Sequence, residues 1–364
     1  MLKRKIYLMM VLVLCITISG CGIVMRQISE SDESEEEENL FITQEAKALD
    51  ESHVTYYYYD RLHGTDKELY CLLYNGIVQM DDNIPIPEYI DYDIVNRIFR
   101  YMMYDHPEIF WISGYQMVEI KNQMILYPEF SISPQNIDYY NEKCIEFVSG
   151  AEQAVGKEQD TYKIALLLYE FMIKNIHYVH SADDQNMISA VLTRRAVCTG
   201  FVKTYQYLLN QYGIESVAVT GFTREGIAHM WNLVKIDGRY YYTDVTYGQV
   251  NSTDTETNYD LFNVTTEEIE KIYEFEAGQI LEPCISEEAN FFVKNGSVYE
   301  KMDKGKLKSQ FAKGLPVTIK CSSEELYQEM IRYLIKEKHI YDYLPEQQDI
   351  NYRTNDELKK IYFF

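Results

Sequence analysis

The sequence has little positive charge and lacks the common metal-binding patterns. Its 34 lysines and arginines are outnumbered by 57 aspartates and glutamates, which gives a formal net charge of −23 at pH 7. This charge excludes nucleic acid as a natural partner and disfavours direct contact with anionic lipid headgroups. No Cys-x-x-Cys or His-x-x-x-His spacing occurs, and the acidic stretch 251–260 lacks the calcium-loop pattern. We therefore predict no metal and no other cofactor.

The apolar stretch near the N-terminus is too short to span a membrane. It runs from Ile6 to Ile18 after the basic residues 3–5 and has the length of a signal-peptide core. Its end, Ile18-Ser19-Gly20-Cys21, resembles the lipobox of bacterial lipoproteins. That resemblance implies a signal peptide over 1–20, lipidation of Cys21 and export to the extracytoplasmic face of the cell membrane. The alternatives are an uncleaved anchor and a plain secretory signal.

The next segment, 21–44, is acidic and poor in apolar residues. It contains the run Ser-Asp-Glu-Ser-Glu-Glu-Glu-Glu, and such a segment cannot bury enough apolar surface to fold. We expect a disordered tether that connects the lipid-bearing N-terminus to the folded part of the protein.

Cysteines are few and widely spaced, although the predicted compartment can be oxidising. Cys15 would leave with the signal peptide, and Cys21 is the predicted lipid site. The remaining cysteines outside the motif described next are Cys71, Cys144, Cys284 and Cys321. These four could form two disulfides in three ways, but their scattered positions favour buried free thiols.

Cys198 lies where an amphipathic helical pattern begins. Apolar residues recur at helical spacing from Phe201 to Tyr212, and Gly213 ends the pattern. A thiol at a helix N-terminus faces unpaired backbone N–H groups and the positive end of the helix dipole, which favour the nucleophilic thiolate.

A hairpin downstream brings a histidine and an aspartate together. Asp237-Gly238 separates two strand-like segments, and a two-residue turn there pairs Ile236 with Arg239. The register then makes His229 and Asp244 diagonal neighbours on one face, within hydrogen-bonding reach. Asp244 would orient His229, and His229 would take the thiol proton and later deliver it to a leaving group.

Each of these residues also has a structural interpretation. A lone cysteine is commonly a small buried hydrophobe, and a lone histidine on a strand is commonly a core residue with its hydrogen bonds satisfied. The chain order, the helix start and the hairpin geometry coincide, however, and together they favour a catalytic site.

Five segments resemble the bacterial transglutaminase-like superfamily. They are Asp184-Gln185, Ala196-Val197-Cys198-Thr199-Gly200-Phe201, Val219-Thr220-Gly221, His229-Met230-Trp231-Asn232 and Tyr242-Thr243-Asp244-Val245-Thr246. The resemblance implies a papain-like fold and a Cys198-His229-Asp244 triad. The run Asp-His-Pro-Glu-Ile-Phe-Trp at 105–111 also resembles the upstream region of lipoproteins that carry this domain.

Other residues complete the expected site. The backbone N–H of Cys198 is one predicted donor to the oxyanion. Gln185 is a candidate side-chain donor, because the family often has a polar residue there, and the alternative is a solvated loop glutamine. We expect Trp231 to form a wall of the cleft beside His229, and Asn232, which alternates to the other face, to be structural.

The fold class is expected to be α+β, with the cysteine-bearing helix packed on an antiparallel sheet that carries the histidine and aspartate. We predict an N-terminal mixed α/β region over 45–155, a catalytic domain over 156–275 and a C-terminal α/β region over 276–364. Helices are predicted at 92–104, 134–155 and 161–175, and a strand at 109–112. In the C-terminal region we predict a second hairpin at Asn295-Gly296, a capping box at Ser322 and Glu325, and an edge strand in the last fifteen residues.

These observations predict a lipid-anchored thiol enzyme that forms a thioester at Cys198 from a peptide or protein amide. Water would resolve the thioester in a peptidase or amidase, and an amine would resolve it in a transglutaminase. The alternative is a non-catalytic surface module that binds peptide or cell-wall material in the same cleft. The sequence indicates no oligomeric state.

Overall fold

A computed structural model describes residues 56–180, 186–253, 256–344 and 350–364. The predicted signal peptide, Cys21, the acidic tether and Gln185 lie outside these residues. In the part of the chain that is described, no helix combines the length and apolar character needed to cross a membrane.

The described residues form both helices and sheets, and the strands of the central sheet pair only in antiparallel fashion, which confirms the predicted α+β class. The helices are α1 Thr65–Gln79, α2 Tyr92–Asp105, α3 Ile137–Val155, α4 Thr161–Asn175, α5 Met187–Thr193, α6 Cys198–Gln211, α7 Val245–Val250, α8 Thr266–Ile269, α9 Phe291–Lys294, α10 Lys304–Phe311 and α11 Glu324–Met330. The strands are β1 Ile84–Ile86, β2 Ile112–Ile120, β3 Gln123–Phe130, β4 His177–Tyr178, β5 Arg195–Ala196, β6 Ser216–Thr223, β7 Ala228–Ile236, β8 Arg239–Thr243, β9 Tyr273–Phe275, β10 Val298–Tyr299, β11 Val317–Cys321, β12 Tyr352–Asn355 and β13 Lys360–Phe363.

The central sheet has the strand order β8-β7-β6-β9, and all of its pairs are antiparallel. Asp237 and Gly238 form the turn between β7 and β8, both with positive φ (50° and 79°). Ile236 pairs with Arg239, as the turn chemistry predicts. Helix α6 packs on β6 and β7. Asn232 donates from Nδ2 to the backbone oxygen of Val202 at 3.1 Å, which ties β7 to this helix and gives Asn232 its expected structural role.

Each face of the central sheet is covered by a separate apolar core. On one face Val219, Trp231 and Leu233 pack with residues of the N-terminal part of the chain, including its buried tyrosines. On the other face Val234 and Ile236 pack with α3, α4, α5 and α6. The sheet is therefore buried on both sides, which fixes the positions of its strand ends.

Asp105 anchors the N-terminal part of the chain. Its carboxylate accepts hydrogen bonds from the backbone N–H groups of Tyr58 and Tyr59 and from the Tyr70 hydroxyl at 2.9–3.0 Å. Burial raises the pKa of Asp105 to about 6, although these donors favour the ionised form. Asp105 begins the run 105–111 noted in the sequence, so this carboxylate gives the run a structural role.

Cys144, Cys284 and Cys321 are buried free thiols, as their scattered positions predict, and Cys71 is buried as well. Burial raises the pKa of the Cys144, Cys284 and Cys321 thiols to about 12. These three thiols are therefore protonated and unreactive at neutral pH.

The structure corrects the predicted strand at 109–112. A strand begins only at Ile112, because the preceding residues form a turn in which the N–H of Ile109 donates to the His106 carbonyl and that of Phe110 to the Glu108 carbonyl. These local hydrogen bonds use the N–H groups of Ile109 and Phe110, which are then not available for pairing in a sheet.

The predicted hairpin at Asn295-Gly296 is wrong. Its first arm is helix α9, which is capped by Asn290 through a hydrogen bond to the N–H of Phe292 (3.1 Å), and Phe291 stacks on Tyr259 with ring centroids 3.7 Å apart. Its second arm, β10, pairs in parallel with β11. The cap and the aromatic contact outweigh the strand propensity of the local sequence.

Two further C-terminal predictions also need correction. Ser323, not Ser322, caps helix α11, because Ser322 still donates its N–H to the Tyr299 carbonyl beside β11. The end of the chain supplies two strands instead of one. Strand β13 lies inside the sheet of order β10-β11-β13-β12, and β12 forms its edge.

A buried ion pair joins β13 to the segment before α8. Lys360 has no exposed surface and donates to the backbone oxygen and the carboxylate of Asp260 at 3.0 and 3.2 Å. The same carboxylate accepts hydrogen bonds from Tyr362 and from the amides of Asn258 and Asn355. Asn355 also donates to the hydroxyl of Tyr247 on α7, so this cluster connects the C-terminal sheet to helix α7.

We expect Lys360→Met to lower the free energy of unfolding by about 3 kcal/mol, because it leaves the buried Asp260 charge without its cation. Denaturant unfolding measures this difference. Lys308→Met, at an exposed position on α10, is the matched control and should change stability by less than about 0.5 kcal/mol. Equal stability of the two variants would show that the buried pair makes no net contribution.

Candidate active site

Cys198 is the first residue of helix α6, as the sequence predicts. Val197 precedes it in an extended conformation, directly after the short parallel pair of β4 and β5. Helix α5 packs along α6 and supports it. The thiol is partly exposed. It therefore meets both conditions for a reactive cysteine: a helix N-terminus and access from solvent.

His229 lies on β7 opposite Gly221 of β6. A Cβ at Gly221 would overlap the indole of Trp231 and the backbone oxygen of Glu274 on β9. Glycine at this position lets β9 and the Trp231 ring approach β6 closely beside the histidine. The His229 side chain is 13% exposed, so one part of the ring remains accessible.

Asp244 is fully buried and follows β8 directly. Its Oδ1 accepts a hydrogen bond from the Tyr247 N–H at 2.8 Å, so Asp244 is also the N-cap of α7. Its own N–H donates to the Leu261 carbonyl at 2.8 Å. Side chain and backbone are thus both fixed, and the orientation of the carboxylate is determined by the fold.

The histidine joins the other two residues. His229 Nε2 lies 2.7 Å from Asp244 Oδ2. Because an ionised carboxylate only accepts hydrogen bonds, Nε2 is the donor, and Nδ1 is the nitrogen left for the Cys198 sulfur. The Cys198 side chain lies close enough to the imidazole to help raise the pKa of His229. The structure therefore brings Cys198, His229 and Asp244 together.

The environment of His229 favours its charged form. Burial alone lowers the pKa of His229, but the negative charge of Asp244, the hydrogen bond to it and the contact with Cys198 outweigh burial and raise the pKa to about 10. At neutral pH the ring is therefore an imidazolium that is held between a carboxylate and a sulfur.

Trp231 and Tyr273 support this group from the protein interior. Trp231 has no exposed surface, so it lies beneath the site instead of lining the open wall of a cleft. Its ring stacks on Tyr273 at 4.8 Å, and the Tyr273 ring lies 4.7 Å from that of His229. The Tyr273 hydroxyl donates to Asp244 Oδ2 at 2.6 Å.

Sequence reasoning missed Tyr273 as a residue of the site. It lies on the three-residue strand β9, which pairs with β6 far away in the chain. A tyrosine followed by Glu274 and Phe275 has the alternation of a short strand, and that was the one available signal.

The arrangement can support acyl transfer. It contains a partly exposed cysteine, a protonated imidazole beside it and a buried carboxylate that holds the imidazole. Of the two predicted oxyanion donors, the N–H of Cys198 belongs to the first turn of α6, where N–H groups lack partners within the helix. Gln185, the other candidate, lies outside the described residues.

Comparisons with known proteins relate this site to a family. Residues 149–245 match the model of the transglutaminase-like superfamily. No curated protein matches the sequence.

Two solved structures are similar to parts of the chain. One is described as a TGase, with 12% identity, 40% of this chain and 47% of that chain covered, and a TM-score of 0.29. The other is the periplasmic domain of TgpA from Pseudomonas aeruginosa, with 14% identity, 35% and 54% coverage, and a TM-score of 0.25. The chain thus spans about half of each structure.

With TM-scores this low, the likeness to the family rests on the sequence match alone. The matched segment contains Cys198, His229 and Asp244. Residues 149–245 are therefore similar to the transglutaminase-like superfamily over the part of the chain that holds the site.

Proposed function

We propose that this protein is a thiol enzyme of the transglutaminase-like type that forms a thioester at Cys198 from a peptide or protein amide. One observation carries the proposal: His229 is hydrogen-bonded to the buried carboxylate of Asp244, and the partly exposed Cys198 lies near enough to the imidazole to help raise its pKa. The family match over residues 149–245 supports the same reaction class.

In the first half-reaction the Cys198 thiolate attacks the amide carbonyl, and a bond forms between sulfur and carbon. The negative charge that develops on the carbonyl oxygen is stabilised by the N–H at the start of α6. The C–N bond then breaks, and the His229 imidazolium gives its proton to the departing nitrogen, which leaves as ammonia or an amine.

In the second half-reaction the neutral imidazole accepts a proton from the attacking group. If that group is water, the product is a carboxylic acid and the enzyme is a peptidase or amidase. If it is an amine, a new amide forms and the enzyme is a transglutaminase. Asp244 stabilises the imidazolium that forms again, and loss of the sulfur from the acyl carbon regenerates Cys198.

We also propose that the enzyme works outside the cytoplasm, anchored to the membrane through a lipid on Cys21. The signal-like residues 1–20 and the lipobox-like end at Cys21 support this placement. The negative charge of the chain implies that the lipid makes the membrane contact, while the folded part binds peptide or protein substrates.

We expect iodoacetamide to alkylate Cys198 near neutral pH at least about tenfold faster than free cysteine. His229→Ala should remove this advantage, because the sulfur loses its imidazolium partner. Asp244→Asn should slow labelling as well. The amide oxygen of the new side chain can still cap α7, but its NH₂ group then faces the imidazole and favours the wrong tautomer of the ring. Peptide-resolved mass spectrometry reports the rate at Cys198 in the full chain.

A histidine–aspartate contact elsewhere supplies the control for that labelling. His339 Nδ1 and Asp342 Oδ2 are also 2.7 Å apart, on an exposed turn. His339→Ala and Asp342→Asn should leave the rate at Cys198 unchanged. Slow labelling of Cys198 that is indifferent to His229 would favour a non-catalytic binding module.

A labelled glutamine-containing peptide, supplied with and without a primary amine, tests which half-reaction follows. We expect the wild-type protein to release ammonia in excess over amine incorporation, and Cys198→Ala to do neither. Cys284→Ala, which changes a buried thiol outside the site, should retain activity. Incorporation in excess of release would assign a transglutaminase, and turnover by Cys198→Ala would contradict the proposed mechanism.

Membrane fractionation tests the anchor. In bacterial cells that process lipoproteins, we expect the wild-type protein in the membrane fraction and Cys21→Ala in the soluble exported fraction. Cys15→Ala is the control, because a cysteine within the signal peptide is absent from the mature protein. Equal membrane association of both variants would exclude lipidation of Cys21 as the anchor.

A further inference from the structure

Tyr273 lies in the interior next to the site and beyond the segment that matches the family model. Tyr273 is 4% exposed, and its hydroxyl donates to Oδ2 of Asp244 at 2.6 Å. This is the same oxygen that accepts the hydrogen bond from His229 Nε2 at 2.7 Å. The hydroxyl and the imidazole therefore share one carboxylate oxygen.

The Asp244 carboxylate has three donors that come from three different elements. Oδ1 accepts from the Tyr247 N–H on α7, and Oδ2 accepts from His229 on β7 and from Tyr273 on β9. Only the bond to His229 serves proton transfer directly. The other two keep the carboxylate from rotating and compensate its buried charge.

The Tyr273 ring is itself held in place. It stacks on the fully buried ring of Trp231, and strand β9 pairs with β6 so that Tyr273 lies opposite Thr223. Its hydroxyl cannot swing away from Asp244 without breaking that stack. The donor is thus in position before any substrate binds.

The protonation of Tyr273 suits a permanent donor. Burial, followed by the charge of Asp244, raises the pKa of Tyr273 far above its ordinary value. The hydroxyl therefore keeps its proton at neutral pH and can donate to Asp244. The other titratable groups that face Tyr273 or Asp244 are Cys198 on α6, Tyr247 on α7, Tyr169 on α4 and His229 on β7.

We propose that Tyr273 is a positioning residue: it fixes Oδ2 of Asp244 and stabilises its negative charge, so that Asp244 can hold His229 as an imidazolium toward Cys198. This inference rests on the proposed thiol-enzyme function. Tyr273 touches neither substrate nor sulfur in this role and acts entirely through Asp244.

Tyr273→Phe removes the hydroxyl and keeps the ring on Trp231. Without this donor the Asp244 carboxylate is held less firmly and its negative charge is less well stabilised, so it supports the imidazolium beside Cys198 less well. We expect the acidic limb of the Cys198 alkylation profile to move up by about one pH unit, which makes labelling roughly tenfold slower at pH values below the midpoint. The rate of iodoacetamide labelling at Cys198 is measured in the full chain from pH 4 to pH 10.

Tyr70→Phe is the matched control, because it also removes a buried tyrosine hydroxyl that donates to a carboxylate. The Tyr70 hydroxyl is equally buried and donates to a buried carboxylate, that of Asp105, at 2.9 Å. Both variants lose a tyrosine–carboxylate hydrogen bond, so both should lose some thermal stability. Only Tyr273→Phe should shift the pH profile of Cys198.

The outcomes separate this inference from the proposed function. If His229→Ala abolishes the fast labelling but Tyr273→Phe reproduces the wild-type profile, Tyr273 is structural and the inference fails while the enzyme proposal stands. A shift in Tyr70→Phe as large as that in Tyr273→Phe would also overturn it, because general destabilisation would explain both. If wild-type Cys198 reacts no faster than free cysteine, the proposed function fails first.

Discussion

The negative charge of a buried carboxylate must be stabilised by neighbouring groups, and the site depends on how the fold provides these groups for Asp244. Removing a negative charge from water is costly unless hydrogen bonds and a cation replace the lost solvation. Here a helix N–H, a tyrosine hydroxyl and an imidazolium take that place. Because the imidazolium is one of these three groups, a single interaction, the hydrogen bond between His229 and Asp244, both stabilises the buried charge of the carboxylate and keeps the histidine protonated.

The architecture follows from this requirement. The three donors to Asp244 belong to α7, β7 and β9, and the sulfur lies at the start of α6. These elements meet only because the central sheet is covered on both faces, by the N-terminal part of the chain on one and by the helices α3 to α6 on the other. The flanking parts of the chain therefore help to place groups that they do not themselves contain.

Local signals account for what the sequence predicted correctly. The start of α6 at Cys198, the bounds of α4 after its capping residue Asp160, and the hairpin register at Asp237-Gly238 each depend on a few neighbouring residues. The contact between His229 and Asp244 follows from that register. Sequence reasoning therefore predicted the contact that the structure shows between His229 and Asp244.

Distant contacts account for the rest. Tyr273 reaches Asp244 only because β9 pairs with β6, and the pairing of a three-residue strand leaves little trace in its own sequence. The segment 291–299 has the composition of a hairpin, but the Asn290 cap and the stacking of Phe291 on Tyr259 make its first half a helix. In both cases a tertiary contact decides a structure that the local pattern leaves open.

The ion pair between Asp260 and Lys360 also has a consequence for folding. The cation that neutralises Asp260 lies 100 residues further along the chain. Until strand β13 has formed, the Asp260 carboxylate therefore has no cation beside it. The C-terminal strands and the segment before α8 are thus expected to fold together and not in separate steps.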